Sequence, residues 1–450
     1  MAEYSRSEPD EPDVMWGPDK NTKVSEGAGF RFDDEQDTFD KRPLRFARLK
    51  AFQVYLWHQV AFATHIIRYI QRWRSPWRDA YFVVYSLLGE RALYNCLLPY
   101  LIWQVDPEFG SLYLLLLTLG TTLGNFLKNF FALPRPPPTA LWVHKRLEDY
   151  GIPSTHTTNA VNMSLFITYW FWEPIVERRL QYLAVVVITW YIISMVLSRM
   201  YLGAHSHVDV IAGLLIGATF FSVWIKTHRS FSTFLSESWY SPFVVLLVFT
   251  VILLIHPRSV RPSPSHKNSA ALLCLAYGVV LGMNRHVRRY SNFFWQRFFT
   301  SEICTGELAK FIARTVSARL LRFALSLSTT AVGLVVVFAI YSLSRLLLYL
   351  LFACLFRWTA AREIWSRLKY AHKKCSIPSF APLDNFDHPQ WQSQRRLDPI
   401  VDSSVHKDTK LVSGCAAIIV AGYVLTYFAP LCLNCLGLLG KYCSRGFLVV

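Results

Sequence analysis

The chain has 450 residues, of which 53% are hydrophobic, and it carries a formal net charge of +17. A mean hydropathy of +0.26 and several apolar runs near the length of a bilayer crossing exclude an ordinary soluble protein and predict a polytopic membrane protein. Basic residues flank the apolar runs, which favours anionic lipid headgroups over nucleic acid as their partners.

The N-terminal eighty residues divide into two parts of different composition. Residues 1–40 are polar, acidic and rich in Gly, Pro and Asp, so we expect a disordered tail without a cleavable signal. Residues 41–80 alternate basic and aromatic character, and the segment 51–67 contains His58 and His65. This segment is either an interfacial amphipathic helix or a poor spanning helix, and its basic flanks favour the interface.

Apolar runs from residue 81 onward predict a bundle of transmembrane helices, so the expected fold class is all-α. Glu90 and Arg91 interrupt the first run, 81–105, and we expect them to form an ion pair that faces protein. In the second run, Gly120 and Gly124 allow a neighbouring helix to approach closely. The runs that follow the first are 111–130, 157–172, 180–197, 210–226, 242–255, 270–283, 325–351 and 411–439.

The runs group into two predicted regions. Residues 81–300 are expected to form a membrane-embedded core, and residues 301–450 add a C-terminal helical membrane region whose role the sequence leaves open. Within the second region, 309–323 is a basic amphipathic candidate, and 376–410 is polar and is the clearest candidate for a linker.

Two polar stretches lie between the second and third apolar runs. Lys128 and Arg135 come at the end of one run, and the prolines that follow force an extended loop. Ser154 and His156 then precede the next run. Guanidinium and ammonium groups bind phosphate oxygens, so this loop is a candidate phosphate-binding segment.

A third polar stretch contains Arg199, His205 and Asp209, at the mouth of a further apolar run. Residues four apart share one face of a helix, so Asp209 can accept the imidazole N–H of His205 and leave the other ring nitrogen as a nucleophile. Two crossings separate this stretch from the preceding one, which returns it to the same membrane face. Together the three stretches describe a phosphate pocket without a metal. His207 lies two residues from His205 and is left out of the predicted site.

The spacing of these residues resembles the tripartite signature of the type-2 phosphatidate phosphatase superfamily. Its parts are lysine, six residues, then Arg-Pro; Pro-Ser-x-His; and Ser-Arg, five residues, His, three residues, Asp. Within the superfamily the chain is similar to the sphingosine-1-phosphate, or long-chain-base phosphate, phosphatases. The similarity extends over roughly residues 75–290 and rests on Pro-Ser-Thr-His at 153–156, Ser-Arg-Met-Tyr-Leu-Gly-Ala-His at 198–205, Asp-Val-Ile-Ala-Gly at 209–213 and Ile-Trp-Gln-Val-Asp-Pro at 102–107.

This resemblance implies a metal-independent hydrolase of sphingolipid metabolism that removes the phosphate from sphingosine 1-phosphate or a related lipid. His205 would attack phosphorus and form a phosphohistidine while Asp209 orients its ring. His156 would protonate the leaving alkoxide and later activate water. The groups that would bind the phosphoryl oxygens are Lys128, Arg135, Arg199 and Ser154 with its backbone N–H.

Two other functions stay open. A phosphatase for phosphatidate or for a polyprenyl diphosphate would use the same signature residues on a different lipid. A non-catalytic membrane scaffold would be expected to have lost a signature residue, and the sequence retains them all.

Orientation in the membrane follows from the basic residues. Those between 285 and 297 lie opposite the signature by parity, so the positive-inside rule places the signature on the lumenal side. The N-terminal basic residues fit this orientation only if residues 51–67 cross or dip into the membrane. The resemblance implies a multi-pass protein of the endoplasmic reticulum with a lumenal site and a cytosolic N-terminus.

Overall fold

The computed structural model describes residues 47–136, 141–144, 149–172, 177–257, 264–290, 316–355, 359–375 and 404–430. These residues form helices and connecting loops and contain no strand, which confirms the all-α class. The chain divides into two compact units, 1–49 and 50–450, and nearly all of the described residues belong to the second. The predicted disordered tail, 1–40, lies outside the described residues.

The helices follow one another along the chain. They are α1 (Ala47–Gln71), α2 (Pro76–Leu87), α3 (Arg91–Tyr100), α4 (Pro107–Phe131), α5 (Thr155–Trp172), α6 (Arg178–Tyr201), α7 (His207–Glu237), α8 (Ser241–Ile255), α9 (Ser265–Tyr290), α10 (Val316–Leu355), α11 (Thr359–Cys375) and α12 (Ser404–Tyr423). Short π-helical segments extend α3 over Leu101–Val105 and α12 over Val424–Phe428.

Five helical stretches in the described chain are long and apolar enough to cross a bilayer. They are Pro107–Phe131, Arg178–Tyr201, His207–Glu237, Ser326–Leu355 and Thr409–Phe428. Helix α8 is apolar but shorter. This result confirms the predicted multi-pass membrane protein.

Helix α4 lies at the centre of the bundle and packs against α5, α7 and α9. The side chain of Phe109 at its start stacks on Phe166 of α5, with ring centroids 5.6 Å apart. Toward its end, a Cβ atom at Gly124 would lie 2.6 Å from the Thr155 side chain. The predicted close approach at this glycine is therefore present. Helix α5 carries its polar residues Asn159 and Asn162 inside the bundle, where both are buried.

The predicted continuous helix over 81–105 is interrupted. Helix α2 ends at Leu87 and α3 begins after Glu90, whose backbone is extended (φ −81°, ψ 150°). Gly89 lies in the break, and a Cβ atom there would be 2.5 Å from Cδ2 of His156. Close packing against that imidazole therefore requires a residue without a side chain at this position.

Helix α1 lies along one face of the bundle, which we call the loop face because α4 and α6 end there and α5 and α7 begin there. Near its start, Phe52 contacts Phe131 at the end of α4, with ring centroids 6.4 Å apart. Further along, Phe62 contacts His207 at the start of α7, again at 6.4 Å. Helix α1 is also absent from the candidate spans in the described chain. These contacts agree with the interfacial interpretation of 51–67, which stays a prediction.

The end of α1 is clamped to two neighbouring segments by Gln71. Its Nε2 donates to the carbonyl oxygens of Trp142 (2.7 Å) and Tyr201 (2.9 Å), and its Oε1 accepts from the Trp142 N–H (3.1 Å). Next to this clamp, Gly203 has φ +67°, and a Cβ atom there would lie 2.5 Å from the Trp142 carbonyl oxygen. The clamp therefore joins α1, the loop after α4 and the end of α6.

The described C-terminal helices pack on the core. The indole N–H of Trp103 donates to the Leu425 carbonyl oxygen (2.8 Å), and Nε2 of Gln104 donates to Thr329 Oγ1 (3.0 Å). Helices α9 and α12 approach closely, since a Cβ atom at Gly422 would lie 2.3 Å from the Leu275 carbonyl oxygen. Most of the predicted linker lies outside the described residues, but residues 404–410 begin α12 and are helical. Of the predicted amphipathic segment 309–323, only 316–323 are described, and they begin α10.

Candidate active site

All three polar stretches meet at the loop face. Lys128 lies in the last turn of α4, and Arg135 follows Ala132, which ends that helix in a left-handed conformation (φ 51°, ψ 33°). His156 lies in the first turn of α5, and Arg199 lies in the last turn of α6. The remaining members of the predicted site are Ser154, directly before α5, His205, in the loop before α7, and Asp209, in the first turn of α7.

His205 and Asp209 form a buried pair. Nδ1 of His205 lies 3.3 Å from Oδ2 of Asp209, and both side chains are at most 1% exposed. The same carboxylate oxygen accepts the Ser206 N–H (2.8 Å), while Ser206 Oγ accepts the Asp209 N–H (3.2 Å), which makes a capping box. Because the carboxylate accepts from Nδ1, the proton belongs on that nitrogen and Nε2 carries the lone pair.

The charge state of His205 suits a nucleophile. Burial, followed by the positive charges of Arg135 and Arg199, lowers the pKa of His205 well below its usual value. The ring is therefore neutral near physiological pH, and its Nε2 can attack an electrophile without first losing a proton.

Two of the predicted cations converge on a carboxylate that the sequence analysis missed. Nζ of Lys128 lies 2.5 Å from Oδ2 of Asp149, and Nη2 of Arg135 lies 2.6 Å from Oδ1. Arg135 also donates from Nε to the Asp149 carbonyl oxygen (2.9 Å) and from Nη1 to the Ala204 carbonyl oxygen. A further contact joins Nη1 to Nε2 of His205 at 3.0 Å.

Ser154 holds the start of α5 against α7. Its backbone N–H donates to the Asp209 carbonyl oxygen (2.9 Å), so the predicted role of this N–H in phosphate binding does not agree with the structure. Its hydroxyl oxygen accepts from Thr157 Oγ1 (3.1 Å), which leaves the Ser154 hydroxyl hydrogen free to donate to a ligand.

Arg199 is held by the interrupted helix α2–α3. Its Nη1 donates to Ser86 Oγ at 2.6 Å, and the Glu90 carboxylate exerts an attractive coulombic effect on it. Glu90 was expected to pair with Arg91, whose side chain lies outside the described part of the structure. A signal was present in the sequence, since an acidic residue beside a glycine in an apolar run calls for a partner.

Three polar atoms in this pocket are buried and have no hydrogen-bond partner among the described residues. They are Nε2 of His156, Nε of Arg199 and Oδ1 of Asp209. Buried polar atoms are nearly always paired in native proteins, so these atoms are available to a polar ligand. No cluster of three or more His, Cys, Asp or Glu side chains able to hold a metal ion occurs in the described residues.

The sequence of this chain is similar to those of several known proteins. Residues 109–232 match the model of the PAP2 superfamily. A protein from Dictyostelium discoideum named "Probable sphingosine-1-phosphate phosphatase" is 32% identical over 234 residues, which cover 50% of this chain and 57% of the relative. "Lipid phosphate phosphatase delta" from Arabidopsis thaliana is 27% identical over 261 residues, covering 56% of this chain and 62% of the relative. No solved structure gives a significant match.

A third relative, a dihydrosphingosine 1-phosphate phosphatase from Saccharomyces cerevisiae, is 28% identical over 220 residues, covering 47% of this chain and 53% of the relative. The chain thus spans between half and two thirds of these relatives' length. Fold and site define a polytopic membrane protein in which buried cationic side chains surround a paired histidine. The match over residues 109–232 and the similarity to these relatives confirm the predicted resemblance to the PAP2 superfamily and to its sphingosine-1-phosphate phosphatase branch.

Replacing Ser86 with alanine tests its support of Arg199. Loss of this bond leaves the Nη1 group of Arg199 without its Ser86 acceptor in a buried position, so we expect the Kd for orthovanadate to rise about tenfold in Ser86→Ala, which corresponds to roughly 1.4 kcal/mol. Thermal-shift titration of the detergent-purified protein measures this constant. Ser222→Ala is the matched control, because Ser222 is exposed on α7 and bonds only locally, to the Ala218 carbonyl oxygen. An unchanged Kd in Ser86→Ala would show that Arg199 does not depend on Ser86.

Proposed function

We propose that this protein is a lipid phosphatase that hydrolyses the phosphomonoester of sphingosine 1-phosphate or a related long-chain-base phosphate, without a metal ion. The observation that carries the proposal is the buried His205–Asp209 pair, whose Nε2 faces Arg135. An oriented neutral imidazole beside a guanidinium group suits nucleophilic attack on phosphorus. The names of the relatives supply the lipid class.

The first half of the reaction transfers the phosphoryl group to the protein. Nε2 of His205 attacks phosphorus, a P–N bond forms, and the P–O bond to the lipid breaks. His156 gives its proton to the departing lipid oxygen. Asp209 stabilises the imidazolium that forms, because its carboxylate is already within reach of Nδ1.

The second half returns the protein to its starting state. His156 takes a proton from water, which attacks phosphorus on the phosphohistidine. The P–N bond breaks, its electrons return to Nε2 of His205, and inorganic phosphate leaves. Lys128, Arg135 and Arg199 offset the negative charge that accumulates on the phosphoryl oxygens in both steps.

The position of the pocket suits an amphiphilic substrate. Its cations lie at or near helix ends, at the depth of the membrane where lipid headgroups are found. Helices such as α6 leave large apolar side chains exposed. A lipid can therefore keep its chain among apolar surfaces while its phosphate reaches the pocket. Phosphatidate or a polyprenyl diphosphate would meet the same charged groups, so the substrate class has to be measured.

A panel of lipid phosphates tests the function. The purified protein should hydrolyse long-chain-base phosphates in preference to phosphatidate and polyprenyl diphosphate, and a chelator should leave the rate unchanged. Loss of turnover in chelator with recovery in magnesium would contradict the metal-free reaction. Preferential turnover of phosphatidate would assign the alternative substrate.

His205→Ala tests the nucleophile within the same assay. Turnover should fall below about a hundredth of the wild-type rate, because no other group can form the intermediate. His207→Ala is the matched control, since His207 is two residues away, with its ring against Phe62 of α1. This control should keep turnover near wild type, and a larger residual rate in His205→Ala would show that another group attacks phosphorus.

His156→Ala separates the general acid from the nucleophile. With a natural lipid phosphate, single-turnover phosphoryl transfer should slow by about 10²–10⁴-fold, because the alkoxide needs a proton as it leaves. With a nitrophenyl phosphate, whose leaving group is already stabilised as an anion, the loss should be much smaller. Equal losses on both esters would assign His156 to phosphate binding instead.

We propose that the protein lies in the endoplasmic reticulum membrane with its pocket facing the lumen, which the basic residues at the end of α9 favour through the positive-inside rule. The basic residues at and after the end of α1, which lies along the loop face, favour the opposite orientation by the same rule, so the orientation has to be measured. With the pocket in the lumen, hydrolysis of a membrane-impermeant phosphate ester by sealed microsomes should be latent and should appear after permeabilisation with detergent. Full activity in intact microsomes would place the pocket on the cytosolic side.

A further inference from the structure

The Asp149 carboxylate occupies the position in which the proposed function requires a phosphoryl group. Its two oxygens contact different cations, Oδ2 with Lys128 at 2.5 Å and Oδ1 with Arg135 at 2.6 Å. Burial raises the pKa of Asp149, but the charges of Arg135 and Lys128 outweigh that effect and hold the pKa well below its usual value. The group is therefore ionised, and it presents two oxygens to a guanidinium fork in the manner of a phosphate.

The hydrogen bonds of Arg135 show how fully the pocket is occupied by the protein itself. An arginine side chain has five N–H donors. Nε donates to the Asp149 carbonyl oxygen and Nη2 to the Asp149 carboxylate, while Nη1 contacts the Ala204 carbonyl oxygen and Nε2 of His205. In this arrangement the lone pair of the nucleophile accepts from Arg135 and is unable to attack phosphorus.

A phosphoryl group and the Asp149 carboxylate cannot both contact Lys128 and Arg135 at the same time in the present positions of these side chains. Both are anions, and holding them side by side against Lys128 and Arg135 would add like-charge repulsion in a buried pocket. In the absence of substrate, however, Asp149 offsets the cost of burying Lys128, which is 2% exposed. A carboxylate that stabilises the empty pocket therefore also competes with the ligand.

We propose that Asp149 is an internal competitor that a lipid phosphate displaces from Lys128 and Arg135 on binding. When the phosphate binds, Arg135 turns to the phosphate and gives up its contacts with Asp149 and with Nε2 of His205. Binding of the phosphate therefore also frees the lone pair of Nε2 for attack. This inference rests on the proposed function. It adds a residue that sets the affinity of the pocket for phosphate, for both the substrate and the inorganic phosphate product.

Asp149→Asn tests the competition on the full-length protein in detergent. The Kd for orthovanadate, measured by thermal-shift titration and calorimetry, should fall about tenfold. This is the gain expected if Asp149 leaves the cations free in roughly one tenth of wild-type molecules and the substitution leaves them free in all molecules. The inhibition constant of inorganic phosphate in the turnover assay should fall in parallel. The matched control is Asp79→Asn, the same substitution in a carboxylate that pairs with Arg74 at 2.8 Å, and its Kd should equal that of wild type.

Acetate distinguishes direct competition from a general loss of negative charge. In Asp149→Asn, added acetate should occupy the vacated cations and raise the apparent Kd for vanadate toward the wild-type value, whereas wild type should not respond. A lower Kd without sensitivity to acetate would overturn the inference. An unchanged or higher Kd would also overturn it, and would show that Asp149 positions the cations. If Asp149→Asn does not fold, Asp149→Ala purified in acetate provides the same displacement test.

The experiment also separates this inference from the proposed function. If wild type hydrolyses lipid phosphates and binds vanadate, but Asp149→Asn binds it no more tightly, the inference fails and the function stands. If wild type neither turns over nor binds vanadate, both fail.

Discussion

Charge buried at a membrane face is the constraint on which the rest of the structure depends. Lys128, Arg199 and Asp209 are each less than 5% exposed, and an unpaired charge in such a place costs several kcal/mol. Their partners come from different parts of the chain, because Asp149 lies in the loop after α4 and Ser86 lies on α2. The buried charges therefore obtain their partners only when the helices pack around them, so the fold and the pocket form together.

The direction of the helices supports the same arrangement. Lys128 and Arg199 lie in the last turns of α4 and α6, where the negative end of the helix dipole favours a cation. Asp209 lies in the first turn of α7, where the positive end favours an anion and Ser206 completes the capping box. A bundle that alternates in direction thus brings helix ends of both signs to one face and offers each charge a favourable position.

Much of the architecture was predictable because its signals are local in the sequence. The spans at 107–131, 178–201 and 207–237 follow from apolar runs, and the common face of the three polar stretches follows from the number of crossings between them. Other features depend on contacts that no local pattern encodes. Ser86 and Arg199 are 113 positions apart, and the glycine at the break, Gly89, packs against His156, a residue on another helix.

Asp149 was missed for a different reason. Its position in a polar loop is typical of a solvated residue, and its role becomes visible only when the loop folds back onto the end of α4. The direction of α1 was similarly ambiguous, since an apolar segment with basic flanks satisfies both an interfacial and a spanning position. Contacts with Phe131 and His207 place α1 along the loop face, which agrees with the interfacial interpretation.

The clamp at Gln71 has a consequence for one residue that carries neither charge nor a polar side chain. Gly203 lies under the Trp142 carbonyl oxygen with a positive φ, so a single methyl group there would meet that oxygen at 2.5 Å. The added methyl would push the Trp142 segment away from the end of α6 and pull apart the bonds through which Gln71 holds both. The contact between the Trp142 segment and the end of α6 therefore requires a residue without a side chain at position 203. Between Ser198-Arg199 and His205, this glycine is a steric requirement, as the charged residues are a chemical one.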